Sequence, residues 1–487
     1  MAEMVNTAAA PATDPSPKVA APRGSKRSRS IGLVLALVVG LGIWALPTPH
    51  GLPHIGHLVL AITLFTVVLW VFEVLNNGIS AILMMGLMIA AGVKPGSVLS
   101  AFSGGAFWIL LCVLFYGLAM RKTGLAQRLS YYIIAAFPAS YAGIQSAFLV
   151  VGLLLSLAIP SNTVRAAIMV PIAWSLTKAL GLPGRSKGSA LIMLTATEMS
   201  FVPGNTWMYG SLLGPVVEQI FRSKNLPISW VSFAEVCAVP NLAICILLIF
   251  VNSWLLKPEA SLSVGHSFVK TSLKAMGRLK RDEWITAIIV AASVVFWATA
   301  GHLHHMPSFL VGMIAVAVLG VTGVIKDSEI GTGIPWMLII FIGGCIGLGT
   351  VVNEVKITDW LALYMVPVTQ HFTFSTAVLL MVVVLAMFVL RFLDTTGWIA
   401  FTVLFLPLYN VLLKAGVPPL VLMAALVLSN TPFWIPYQNA WIAIGEGITA
   451  GEAFSPKQRA KSATAYAVIV LVVVALSVGY WKMIHVL

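Results

Sequence analysis

A chain of 487 residues that is 59% hydrophobic and only 9% charged lacks the charge needed to cover a water-soluble surface. Its continuous apolar runs, with a mean hydropathy of +0.97, also exclude a β-barrel, whose strands alternate over short segments. The net charge of +13 sits in connecting loops, as membrane topology demands, so nucleic acid is not an expected partner and the lipid bilayer is.

Residues 1–30 are rich in Ala, Pro and Ser and end in RGSKRSRS. A disordered basic cytoplasmic tail is expected there. No small-residue cleavage site follows, so a cleaved signal is not expected. A helix needs about 20 apolar residues to cross a bilayer. Residues 31–256 hold the runs Ile31–Leu46, Leu58–Val74, Ile79–Val93, Phe107–Met120 and Phe233–Leu256, with broken apolar stretches at 144–180 and 188–217. A basic linker, 257–283, follows. Residues 284–487 hold Ile285–Ala300, Phe309–Ile325, Trp336–Val352 and Ala465–Met483, with broken stretches at 375–415 and 418–448. Cys112, Cys237, Cys245 and Cys345 lie inside apolar stretches without metal-like spacing, which reads as packing. His302, His304 and His305 read as a solvated loop.

The basic loops are Arg121, Lys122 and Arg128; Arg185 and Lys187; the linker; and Lys457, Arg459 and Lys461. They share the side of the N-terminus only if 144–180 and 375–415 each enter and leave on one side. The expectation is therefore an all-α polytopic protein of about eleven transmembrane helices plus two re-entrant hairpins. Its N-terminus is cytoplasmic, in the cell's inner membrane. The stretch FWILLCVLFYGLAMRKTGLAQRLSYYI from Phe107 parallels PWMLIIFIGGCIGLGTVVNEVKITDWLALYM from Pro335. Each precedes a hairpin and then a broken span, and the two units run in opposite senses. Broken segments in matching places of an inverted repeat point to a substrate site near the midplane.

The first hairpin reads PSNTVRAAIMVP from Pro160 to Pro171. Ser161, Asn162 and Thr163 suit an oxyanion, their oxygens can bind Na⁺, and a helix starting near Val164 would add amide donors. The plain alternative is a helix cap. Arg165 needs a partner in low dielectric. Glu198, Asp394 and an anionic substrate are the candidates, with snorkelling to cytoplasmic water as the alternative. Glu198 is a carboxylate within the broken fifth span TATEMSFVPGNTWMYG, and such a residue is a functional candidate by position. Asn205 and Thr206 lie in the same break.

These stretches resemble the divalent anion/sodium symporter family of the ion transporter superfamily. The likeness rests on SNT ten residues before Pro171, AMRKTGLAQRL at 119–129 and IPWMLIIFIGGCIGLG at 334–349. It covers the chain from about residue 30 onward. The resemblance implies an elevator-type transporter with a scaffold and a moving domain, a homodimer, and substrates such as succinate, malate, citrate or sulfate, usually coupled to Na⁺. The sequence departs from the pattern in the second half. Counting ten residues back from Pro407 in FLDTTGWIAFTVLFLP gives Gly397-Trp398-Ile399, so the second SNT is lost, leaving Asp394, Thr395 and Thr396 beside it. SNTPFWIPYQNA at 429–440 resembles the unwound centre of the tenth span, with Asn439 and Ala440 as its usual ending. Ser429–Thr431 either face the site or satisfy the kinked backbone. Trp398 and Trp434 are either an aromatic wall or packing.

The expected function is secondary active transport of small organic or inorganic anions, di- or tricarboxylate or sulfate-like. Substrate-binding candidates are Ser161, Asn162, Thr163, Arg165, Thr396, Gly397, Asn205, Thr206 and Asn439. Ser161 and Asn162 are the candidates for Na⁺ coupling, and Glu198 and Asp394 for protons. No resident metal or cofactor is expected, and Na⁺, H⁺ or anion exchange remain open as the driving process. A cation/proton antiporter of the same superfamily is the alternative. The absence of HExxH and GxSxG motifs argues against an enzyme.

Overall fold

The computed structural model describes residues 26–72, 74–258, 267–300, 303, 304, 306–357, 359, 360, 363, 375–392, 397–435 and 438–487. The first half comprises α1 (Lys26–Ala45), α2 (His54–Val71), α3 (Asn77–Ala90), α4 (Gly105–Thr123), α5 (Leu125–Ala136), α6 (Tyr141–Ala158), α7 (Asn162–Ala179), α8 (Lys187–Glu198), α9 (Leu213–Ser223) and α10 (Trp230–Leu255). After α11 (Ser267–Met276) the second half comprises α12 (Arg281–Thr299), α13 (Ser308–Val321), α14 (Trp336–Glu354), α15 (Thr376–Leu390), α16 (Trp398–Lys414), α17 (Pro419–Leu428), α18 (Ala440–Ile448) and α19 (Pro456–Met483). Lys26–Ser30, expected in the tail, extend α1 instead, because Lys and Arg are good helix formers and the apolar run continues the helix. Of the histidine cluster, His302 and His305 lie outside the described residues.

Among the described residues, α2, α6, α10, α12, α14 and α19 are each long and apolar enough to cross a bilayer. The α4–α5 pair is a further candidate, bent by 69° at Gly124, whose φ of 82° favours glycine. Irregular segments separate α8 from α9 and α17 from α18, and α1, α3 and α13 are among the shorter apolar helices. Apolar side chains such as Phe250 and Val321 are exposed, as lipid-facing residues are.

Contacts between the halves are exchanged as an inverted repeat requires. Helix α3 packs on α14, and its counterpart α13 packs on α4. Helix α7 packs on α18, and the matching pair α16–α9 meets through the rings of Phe221 and Phe405, 5.2 Å apart. The last helices of the two halves, α10 and α19, pack on each other.

One buried arginine fixes the connection between the halves. Arg128 on α5 donates from Nε to Glu283 Oε1 at 3.0 Å, and from its terminal nitrogens to the carbonyls of Gly277 at 2.8 Å and Met276 at 3.0 Å. Glu283 also accepts from the Lys280 amide at 2.8 Å, capping α12. Both charged groups are 2% exposed. Removing one partner of a buried pair strands the other and costs about 3–5 kcal/mol. Arg128→Ala is therefore expected to lower the unfolding temperature clearly in detergent. Arg121→Ala, at an exposed position, should leave it nearly unchanged.

Candidate functional site

Between α6 and α7 the chain turns through Ile159, Pro160 and Ser161. Ser161 Oγ accepts from the Val164 amide at 3.4 Å, so this side chain caps α7. Asn162 is half-buried and Thr163 is exposed. One turn on, Arg165 is fully buried and does not snorkel. Its Nε donates to Ser200 O at 2.7 Å, and Nη1 donates to Gly210 O at 2.7 Å and to Ile159 O. Nη2 donates to Asn162 Oδ1. These bonds commit four of the five N–H groups of a guanidinium.

The partners expected for Arg165 were Glu198, Asp394 or a substrate anion. Asp394 lies outside the described residues, and Glu198 makes no contact with the guanidinium. The physical reason is the break itself. Where the fifth span unwinds, the carbonyls of Ser200 and Gly210 have no helical amide to accept from, and at membrane depth they must still be satisfied. Close approach needs Gly204: a Cβ there would lie 2.5 Å from Arg165 Nη2 and 2.6 Å from Gly210 O.

The break runs from Glu198, the end of α8, through a turn at Val202–Thr206 to α9. Pro203 and Gly204 interrupt the helix there. From α10, Asn241 Nδ2 donates to Val202 O at 2.9 Å and to Thr206 Oγ1 at 2.8 Å. Thr206 is therefore tied to the scaffold of the break. Asn205 is buried, and its Nδ2 has no partner among the described residues.

The second half repeats the device with different residues. Arg391, at the end of α15, is fully buried. It donates from Nε to Asn430 O at 2.9 Å, and from Nη2 to Gln438 O at 2.7 Å and Asn439 Oδ1 at 2.9 Å. Asn439 in turn donates to Pro432 O. Asn439, expected at the substrate, thus braces the tenth-span break. Arg391 was not singled out from sequence, although a charge within the apolar stretch 375–415 was its available signal.

Gly397 heads α16 with φ of 81°. A Cβ there would lie 2.2 Å from Asn430 Oδ1, and that oxygen is buried without a partner among the described residues. Of the triplet at 429–431, Asn430 meets the second tip at Gly397. Ser429 Oγ donates to Ala425 O at 2.7 Å, and Thr431 bonds the Tyr466 hydroxyl at 2.6 Å. Thr395 and Thr396 lie outside the described residues. Trp398 is buried with its ring 5.6 Å from Phe341, and Trp434 stacks on Phe392 at 5.5 Å, so both pack on neighbouring aromatic rings.

The two breaks meet directly. Phe201 in the first lies 5.6 Å from Phe433 in the second and 5.1 Å from Trp441 at the start of α18. An orphaned donor, Asn205, and an orphaned acceptor, Asn430, thus belong to two interrupted helices that touch, each braced by a buried guanidinium.

The model of the family described as "sodium:sulfate symporter transmembrane region" matches residues 27–487. The chain belongs to this family. Family and relatives are transporters rather than enzymes. One similar protein is a membrane protein of Cupriavidus necator, 28% identical over 69% of each chain. Another is dicarboxylate transporter 1, chloroplastic, of Spinacia oleracea, 26% identical over 82% of this chain and 71% of that one. The sodium-dependent dicarboxylate transporter SdcS of Staphylococcus saprophyticus is 24% identical over 84% of each. The fold is also that of the Alcanivorax borkumensis YdaH transporter, with a TM-score of 0.54 at 14% identity over 94% of this chain and 97% of that one.

The second tip generates a stability prediction. An L-residue in the left-handed region costs about 1–2 kcal/mol, and the Asn430 contact adds to it. Gly397→Ala should lower thermal stability. Adding Asn430→Ala should recover the steric part and leave the backbone part, a non-additivity that a double-mutant cycle measures.

Proposed function

We propose that this family member is a secondary transporter of small dianions, of the dicarboxylate or sulfate class, across the cytoplasmic membrane, and that it works without sodium. Arg165 carries this reading. It is a fixed cation ringed by carbonyl and amide oxygens at a hairpin tip and a helix break, a set of oxygens that would otherwise suit a removable cation. Arg391 braces the other break in the same manner. Both tips therefore have a positive charge built into the chain. Asn205 Nδ2 and the start of α7 add donors, which favours an anion over a cation as cargo.

The names of the relatives support the class of substrate: dicarboxylate transport for the spinach protein and sodium-dependent dicarboxylate transport for SdcS, and malate for a putative transporter of Bacillus subtilis. The cation/proton antiporter is less well supported, because a dominant carboxylate pair is missing from the described part of the site. The re-entrant course of α6–α7 and α15–α16, the division into a scaffold and a moving domain, the cytoplasmic N-terminus and the homodimer complete the proposal.

Radiolabelled succinate uptake into proteoliposomes tests it. Uptake is expected to need internal dianion or a proton gradient and to be unaffected by an inward Na⁺ gradient. Accumulation driven by Na⁺ alone would sink the sodium-free reading. Arg165→Lys is expected to abolish uptake, since one ammonium offers three donors in place of a planar five. It should also lower stability by several kcal/mol, because each buried carbonyl left unsatisfied costs about 1–3 kcal/mol.

A further inference from the structure

Glu198, Asn252 and Ser462 form a closed three-membered ring from α8, α10 and α19. Asn252 lies 2.8 Å from Glu198 Oε2, Ser462 Oγ lies 2.5 Å from Glu198 Oε1, and Ser462 Oγ lies 2.7 Å from Asn252 Oδ1. All three side chains are 1% exposed or less. Each contact needs one hydrogen. The serine hydroxyl has one hydrogen, so it serves one contact. The asparagine amide meets one neighbour through nitrogen and the other through oxygen, so it too serves one. Exchanging its nitrogen and oxygen swaps the contacts without changing the count. Two hydrogens cannot make three hydrogen bonds. The third must sit on the carboxyl.

We infer that Glu198 is a proton-binding site, occupied in this conformation, whose protonation is linked to anion binding at the adjacent break. Among the described residues, no basic side chain pairs with Glu198. Arg165 on α7 is committed to carbonyls and Asn162, and Arg459 on α19 is paired with Glu446 on α18. Lys178 and Lys461 are exposed. Tyr466 bonds Thr431 and Leu428 O, Cys245 on α10 is a buried free thiol, and Tyr141 on α6 stands beside Gly188, at the far end of α8.

The linkage follows from position. Glu198 is two residues from Ser200, whose carbonyl accepts from Arg165, and two residues span at most about 7 Å of chain. When the proton leaves, the Oε1–H bond breaks, the proton passes to solvent, and a negative charge remains at the start of the fifth-span break. That charge repels an anion bound at the same break and weakens its binding. With the proton in place, that repulsion is absent. This linkage rests on the proposed anion transport, whereas the proton itself rests on the ring alone.

The experiment separates the two. Infrared difference spectra of the purified protein at neutral pH, wild type minus Glu198→Gln, should show a protonated carboxyl C=O band that moves in deuterated water. Ser462→Ala, which removes the acceptor of that proton, should shift the band and serves if the glutamine variant does not fold. Absence of the band in the wild type overturns the proton site, whatever the substrate is. Succinate uptake by the wild type should fall as pH rises, approaching about tenfold per pH unit, the slope of one titrating group. In vesicles preloaded with succinate, Glu198→Gln, which keeps all three bonds, should exchange anion with that dependence lost. An unchanged pH profile in Glu198→Gln overturns the linkage. If no anion is transported by any variant, the transport reading and the linkage fail together, and the infrared band still decides the proton.

Discussion

An interrupted helix inside a membrane protein leaves carbonyl oxygens that must be satisfied where lipid offers no donor. This constraint organises the centre of the molecule. Each broken span needs a compact source of several donors, and a guanidinium supplies five in a plane. Arg165 joins Ile159, Asn162, Ser200 and Gly210, thereby fastening the first hairpin tip to the fifth-span break. Arg391 joins Asn430, Gln438 and Asn439 and so fastens the second hairpin to the tenth-span break. The same bonds that satisfy backbone position the orphaned groups of Asn205 and Asn430.

The braces come from outside the breaks as well. Asn241 on α10 holds Val202 O and Thr206, while Tyr466 on α19 holds Leu428 O and Thr431. Since α10 and α19 pack on each other, the two breaks rest on one paired support. The Phe201–Phe433 contact closes the unit. The unwound backbone is tied from several helices, which is what a binding site needs from irregular structure.

The architecture was readable because proline, glycine and polar residues punctuate long apolar runs. Counting ten residues back from Pro407 reached Gly397, which has the positive φ of a tip residue. The site was less readable. Arg165 stood out as a charge, but its acceptors are mostly backbone carbonyls, 35 residues away at Ser200 and 45 at Gly210, and carbonyls are the same in every sequence. Asn439 and Thr206 carry groups suited to a ligand, yet the structure uses them as braces. Glu198 was legible as an oddity within an apolar span. Its ring partners, 54 residues away at Asn252 and 264 at Ser462, depend on tertiary packing that periodicity does not encode.

Fixing the cation to the chain changes the energetics of a transport cycle. Sodium can leave with its substrate, so an empty carrier can return uncharged. A guanidinium cannot leave, and moving an uncompensated charge through the membrane is expensive. Such a carrier reorients readily only when something offsets its two buried guanidiniums, Arg165 and Arg391. A bound dianion does so while Glu198 is protonated, which by itself gives exchange. Ionising Glu198 lowers the charge of the empty site from two positive charges to one, which eases the return of the empty carrier after anion and proton are released together. In the proposed cycle the loaded state therefore moves most readily with the proton on, and the empty state with the proton off. That charge balance favours proton-linked anion movement in the proposed cycle, with no gradient of sodium required.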